Sequence, residues 1–76
     1  MEFNVVGIER RSGEYEGRTY DNTYVHTIYE SEKCAEGAAV ATVKVKTERI
    51  EEPLHVGDVV TFFYDQYGNV LQVNKN

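Results

Sequence analysis

From Ala39 to Thr47 the sequence keeps a two-residue period, with Ala41, Val43 and Val45 on one side and Thr42, Lys44 and Lys46 on the other. That is the pattern of a β-strand with one packed face and one wet face. The rest of the chain agrees with it. Eleven Val, three Ile and six Thr accompany nine aromatic residues, a mixture suited to pleated, half-buried surfaces, while Ala, Leu and Met are too sparse to furnish several helices. The expectation is an all-β domain.

Four more strands can be placed around the first. Phe3 to Arg11 reads as strand one, with Phe3 and Val5 on one face and Val6 and Ile8 on the other. Gly13 and Gly17 bracket the segment Ser12 to Gly17, which reads as the tip of a projecting hairpin leading into strand two, Thr19 to Glu30. Ser31 to Ala38 lacks alternation and reads as a loop, with Ser31 able to cap one helical turn ended by Gly37. Glu48 to Val56, which contains the only Pro, is a long connection, and Gly57-Asp58 turns the chain into strand four, Asp58 to Tyr64. Asp65 to Asn69 closes a second hairpin, and Val70 to Asn74 is strand five, with Leu71 and Val73 sharing a face.

Five strands in 76 residues, with no repeat, linker or low-complexity tract, form one domain spanning residues 1–76. A small closed or nearly closed barrel fits best: a five-stranded OB-fold barrel with a projecting hairpin, or alternatively an SH3-like barrel, since hydrophobic pattern alone does not fix strand order. A chain this short buries only about 60% or a little more of its unfolded surface, so a homodimer is expected to add buried area. No apolar run approaches the roughly 18 residues of a membrane span, and the start at Met1-Glu2-Phe3-Asn4 has no signal-peptide character. The expectation is a soluble, cytoplasmic protein without a membrane partner.

Catalytic chemistry finds little support. Cys34 is the only cysteine and sits near Glu30, Glu32 and Glu36, which disfavour its thiolate. With only His26 and His55 beside it there is no spaced ligand set for zinc. His26 reads as a surface or cross-strand residue. Glu48, Glu51 and Glu52 read as a solvated loop rather than an acid and base pair. The chain is expected to be no enzyme and to need no cofactor or metal.

The formal charge of −5 speaks against nucleic acid as a sum, yet the charges are segregated. The acidic groups gather in the loops after strands two and three. The cations Arg10, Arg11 and Arg18 flank the hairpin, and Lys44 and Lys46 alternate along strand three, interleaved with Tyr15, Tyr20 and Tyr24. Aromatic faces that stack on bases, combined with cations that follow phosphates, are what single-stranded nucleic acid requires. Tyr15, between two glutamates at the hairpin tip, is hard to bury within one subunit. Phe3, Phe62 and Tyr64 are assigned mainly to packing. An acidic protein-interaction module anchored by Tyr15 and Tyr67, or a mimic of DNA, is the alternative reading.

Arg11-Ser12-Gly13, then Gly17-Arg18-Thr19-Tyr20, Val43-Lys44 and Gly57-Asp58-Val59-Val60 resemble the small single-stranded-DNA-binding proteins of filamentous phage, the gene five protein family. The sequence is also similar to small proteins of Gram-positive mobile elements. The resemblance runs from about Glu9 to Val73. It implies a dimeric OB-fold subunit that binds single-stranded DNA without strong sequence preference, in the replication of a phage or mobile element; the residues themselves leave RNA as an alternative ligand. On the matched positions, Arg11 resembles a phosphate-contacting arginine, Arg18 the basic residue after the second glycine, Tyr20 the hairpin tyrosine and Lys44 the basic residue of strand three. The tip here is one residue shorter, and Glu14 and Glu16 stand where the family carries a basic residue.

Overall fold

The computed structural model describes residues 1–76. It is all-β: strands β1 (Phe3–Tyr15), β2 (Arg18–Tyr29), β3 (Ala39–Lys46), β4 (Val59–Tyr64) and β5 (Val70–Lys75) form one antiparallel sheet in the order β3-β2-β1-β4-β5. The sheet curls so that β3 and β5 approach each other, but they do not pair, so the expected closure is not reached. Strand β1 takes β4, not β5, as its second neighbour, and only through Phe3 and Asn4.

The interior is small. Val5, Val25, Val45, Val60, Phe62 and Val70 form the core, with Phe3, Val43, Ile50, Leu54 and Val73 packed against it. Phe3 sets its ring edge-on to both Tyr29 and Phe62, with centroids 5.1 and 5.3 Å away, a favoured aromatic geometry. Two buried threonines find partners: Thr27 Oγ1 donates to the Ala41 carbonyl at 2.9 Å, and Thr23 Oγ1 shares a hydrogen bond with Thr47 Oγ1 at 2.9 Å. Tyr64 departs from its expected packing role and lies exposed.

Two bulges change which residues face the core. Val5 pairs with Thr27 and Gly7 with His26, leaving Val6 as an extra residue in β1. Residues directly opposite in a ladder share a face, so Ile8, opposite the fully buried Val25, joins the Val5 side and parts from Val6. A bulge shifts the parity of everything that follows it, and strict alternation misassigns Ile8 for this reason. In β5 the ladder skips Leu71, since Phe63 pairs with Gln72 and Tyr64 with Val70. Val70 and Val73 turn inward, while Leu71 stays 44% exposed instead of sharing their face.

The first hairpin is tighter and longer than the two glycines suggest. Strand β1 continues to Tyr15, and the turn is only Glu16 and Gly17, with φ of 50° and 76°, the type I′ geometry that matches strand twist. Gly13 is a strand residue opposite Tyr20, whose ring leans over it. Between β2 and β3 the chain makes only turns, the first closed by Cys34 N–H donating to the Ser31 carbonyl at 3.2 Å. The possible helix there does not form, and a single 3₁₀ turn appears instead at Thr47–Arg49.

Candidate nucleic-acid interface

Cross-strand register sorts the candidate residues onto the two faces of the sheet. On the face turned away from the core, Tyr15 lies opposite Arg18, Gly13 opposite Tyr20, Arg11 opposite Asn22 and Glu9 opposite Tyr24. The same rows continue into β3, where Asn22 meets Lys46, Tyr24 meets Lys44 and His26 meets Thr42. Arg11, Tyr15, Arg18, Tyr20, Tyr24, Lys44 and Lys46 therefore share one face. The bulge at Val6 makes this possible, because unbroken alternation would set Arg11 on the side of Val5.

Arg10 goes the other way. It stands opposite the buried Thr23 on the core side, where its Nε and Nη2 donate to the two carboxylate oxygens of Asp21 at 2.9 and 2.5 Å. Asp21 also accepts from Thr47 Oγ1 at 2.7 Å. The hydrogen bonds from Arg10 and then Thr47 hold its carboxyl down at about 2. Arg10 is thus a clamp between the hairpin and the 3₁₀ turn and leaves the expected binding set.

The remaining cations differ in how committed they are. Arg18, Lys44 and Lys46 make no ion pair or side-chain hydrogen bond and stand free to meet an anion. Arg11 is engaged twice: its Nε donates to Glu9 Oε2 at 2.6 Å, and its Cζ sits 4.3 Å from the centroid of Tyr24. The hydrogen bond from Arg11 is the largest reason that the Glu9 carboxyl lies below its ordinary range. Glu9 also lies 3.5 Å from His26 Nε2, and His26 Nδ1 is 2.8 Å from Thr42 Oγ1, so His26 is the cross-strand residue expected. Glu9 was not foreseen on this face. The shift that brings Arg11 here brings Glu9 with it.

The tyrosines are unequally available. Tyr15 is 71% exposed. Tyr20 rests against Gly13 and stays 46% exposed, and Tyr24 is covered by Arg11. A groove of about 1170 Å³ borders this face where the edge of β3, the outer half of the hairpin and the β4–β5 turn converge. Tyr20, Lys44 and Lys46 line it, together with Arg49, Tyr64 and Asn69, three residues the sequence reading missed. Arg49 was hidden within an acidic run, two residues past the end of the clean alternation at Thr47. The far wall is held by Asp65, whose carboxylate accepts from the backbone N–H groups of Tyr67 and Asn69 at 2.8 and 2.9 Å. Comparisons with protein-family models, curated proteins and solved structures find no match to this chain.

Proposed function

We propose that this protein binds single-stranded DNA, with RNA as a second possible substrate, through phosphate contacts and base stacking and without strong sequence preference. The observation that carries this reading is the convergence of Arg11, Arg18, Lys44 and Lys46 with Tyr15, Tyr20 and Tyr24 on one face of the sheet. The strand order supports it: β3-β2-β1-β4-β5 is the order of a five-stranded OB barrel opened between its third and fifth strands. In such barrels the face of strands two and three, flanked by the first and last hairpin loops, takes oligonucleotides. The groove here has that position. The resemblance to the phage proteins points the same way, and a role in the replication of a phage or mobile element rests on that resemblance alone.

The mechanism is electrostatic and involves no covalent step. Arg18, Lys44 and Lys46 neutralise phosphates directly, and Arg11 does so when a phosphate displaces Glu9. Tyr15 and Tyr20 stack on bases, each such contact contributing about 1–3 kcal/mol. The Arg11 guanidinium above Tyr24 presents a further flat cation to a base. About four neutralised phosphates give a slope of log affinity against log salt near −3, at roughly −0.7 per contact on a single strand. Titration of poly-dT at low and high salt, followed by tyrosine fluorescence, tests this. No binding at low salt, or a slope near zero, rejects it.

A further inference from the structure

One chain of polar contacts crosses the cationic face, running from Thr42 through His26 and Glu9 to Arg11. The His26 ring is fixed from two sides. It lies over Gly7, its opposite residue in β1, where a Cβ atom would stand only 3.2 Å from the ring's Cδ2, and from β3 the Thr42 hydroxyl meets Nδ1 at 2.8 Å. So placed, the ring turns Nε2 toward Glu9 Oε1, 3.5 Å away. The other oxygen of that carboxylate, Oε2, takes both Nε and Nη2 of Arg11, at 2.6 and 2.5 Å. Glu9 thus stands between two groups that compete for its charge. The rows next to His26 hold Glu9, Tyr24 and Lys44 on one side and Asn4, Ile28 and Val40 on the other. Glu9 is the only anion among them and Lys44 the only cation, with Arg11 one row beyond.

We infer that His26 is a positioning residue for phosphate binding: when its ring takes up a proton, it draws Glu9 away from Arg11 and frees the guanidinium for the ligand. The inference rests on the binding function proposed above and names how that site is controlled. A neutral imidazole has one N–H for two neighbours, whereas the charged ring donates from both nitrogens, Nδ1 to Thr42 and Nε2 to Glu9. The bond to Glu9 is then charge-assisted on both sides, which shortens and strengthens it. A carboxylate held by His26 no longer neutralises Arg11. Histidine is the side chain whose charge ordinarily changes between pH 5 and 8. The proton and the phosphate favour the same arrangement, so each tightens the binding of the other, and affinity for nucleic acid rises as pH falls through that range.

The test is the poly-dT affinity of the full chain at constant salt from about pH 7.5 to about pH 5.5, a range in which thymine takes up no proton. The wild type is expected to bind about two- to five-fold more tightly at the acid end, the scale of an exposed ion pair. His26→Gln keeps a partner for Thr42 without a titrating charge and is expected to flatten the profile, while His55→Gln, in the connection before β4, leaves it as it is. Glu9→Gln and Arg11→Ala decide the route. Both should flatten the profile with His26 still in place, the first near the tight acid value of the wild type and the second at a weaker one. A full slope in either variant overturns the inference, because His26 would then attract the phosphate directly. A second readout needs no nucleic acid. In the free chain the Arg11 Nε–H proton resonance, displaced downfield by the carboxylate, is expected to move toward the position of an unbonded arginine as pH falls, and to stay in place in His26→Gln. That movement in a chain that binds no poly-dT sustains the relay and rejects the binding proposal. Poly-dT binding with a flat profile and a fixed Arg11 resonance does the reverse.

Discussion

The guanidinium of Arg11 lies over the ring of Tyr24, 4.3 Å from its centroid, while the neighbouring Arg10 is turned to the opposite side of the sheet and bound to Asp21. Two adjacent arginines thus do different work, one at the outer face and one as a solvent-exposed clamp on the other side of the sheet. The first prediction uses that contrast. Arg11→Ala, Lys44→Ala and Lys46→Ala are each expected to weaken poly-dT binding several-fold and to reduce the salt slope by about 0.7. Arg10→Ala is expected to leave the slope unchanged and to lower the thermal midpoint instead. Equal effects of Arg10→Ala and Arg11→Ala on the slope would show that the two faces are not distinct in binding.

Glu9 occupies the Arg11 guanidinium that a phosphate must reach. Glu9→Gln removes the competing negative charge and is expected to tighten poly-dT binding by about two- to five-fold, the scale of an exposed ion pair. Weaker binding in this variant would mean that Glu9 positions Arg11 for the ligand rather than competing with it.

Acid should act on the clamp. The Asp21 carboxyl is held at about 2 in the folded chain, against 3.8 for the free group. Its contribution to stability is present above roughly pH 4 and is lost as pH falls toward 2, because the unfolded chain takes up the proton first. The thermal midpoint of the wild type should fall across that window. Asp21→Asn should start lower at neutral pH and fall less. Asp58 and Asp65 are lowered as well, by backbone hydrogen bonds from His55 and from Asn69, so part of the acid response should persist in the variant.

A methyl group at position 13 would lie 2.8 Å from the Tyr20 hydroxyl and 3.0 Å from its ring. The backbone there is ordinary strand, so Gly13→Ala carries no conformational penalty and acts by pushing Tyr20 aside. Stability should change by less than about 1 kcal/mol. Poly-dT affinity should drop toward that of Tyr20→Ala, measured side by side.

The strands were legible because their residues alternate, and β3 most of all, since every second residue from Ala41 to Val45 is apolar and its neighbours are polar. The bulges were not. Val6 and Leu71 are ordinary strand residues, and nothing in their chemistry says that the partner strand will skip them. Gly13 misled in another way: a glycine beside a turn suggests a left-handed backbone, whereas this one is needed for the space beneath Tyr20. The tyrosine and lysine set was visible in the sequence, but its grouping on one face depended on a parity that the sequence does not display. Arg49, Tyr64 and Asn69 come together with Lys44 only through the curl of the sheet.

The extra residue at Val6 also means that β1 can lose one residue without disturbing the cationic row. Val5 already stands opposite Thr27 and Gly7 opposite His26, so removing Val6 leaves an unbroken alternation in which Arg11 still faces outward and Arg10 inward. Among chains that share this architecture, a one-residue difference in length at this position should therefore leave the cationic face intact.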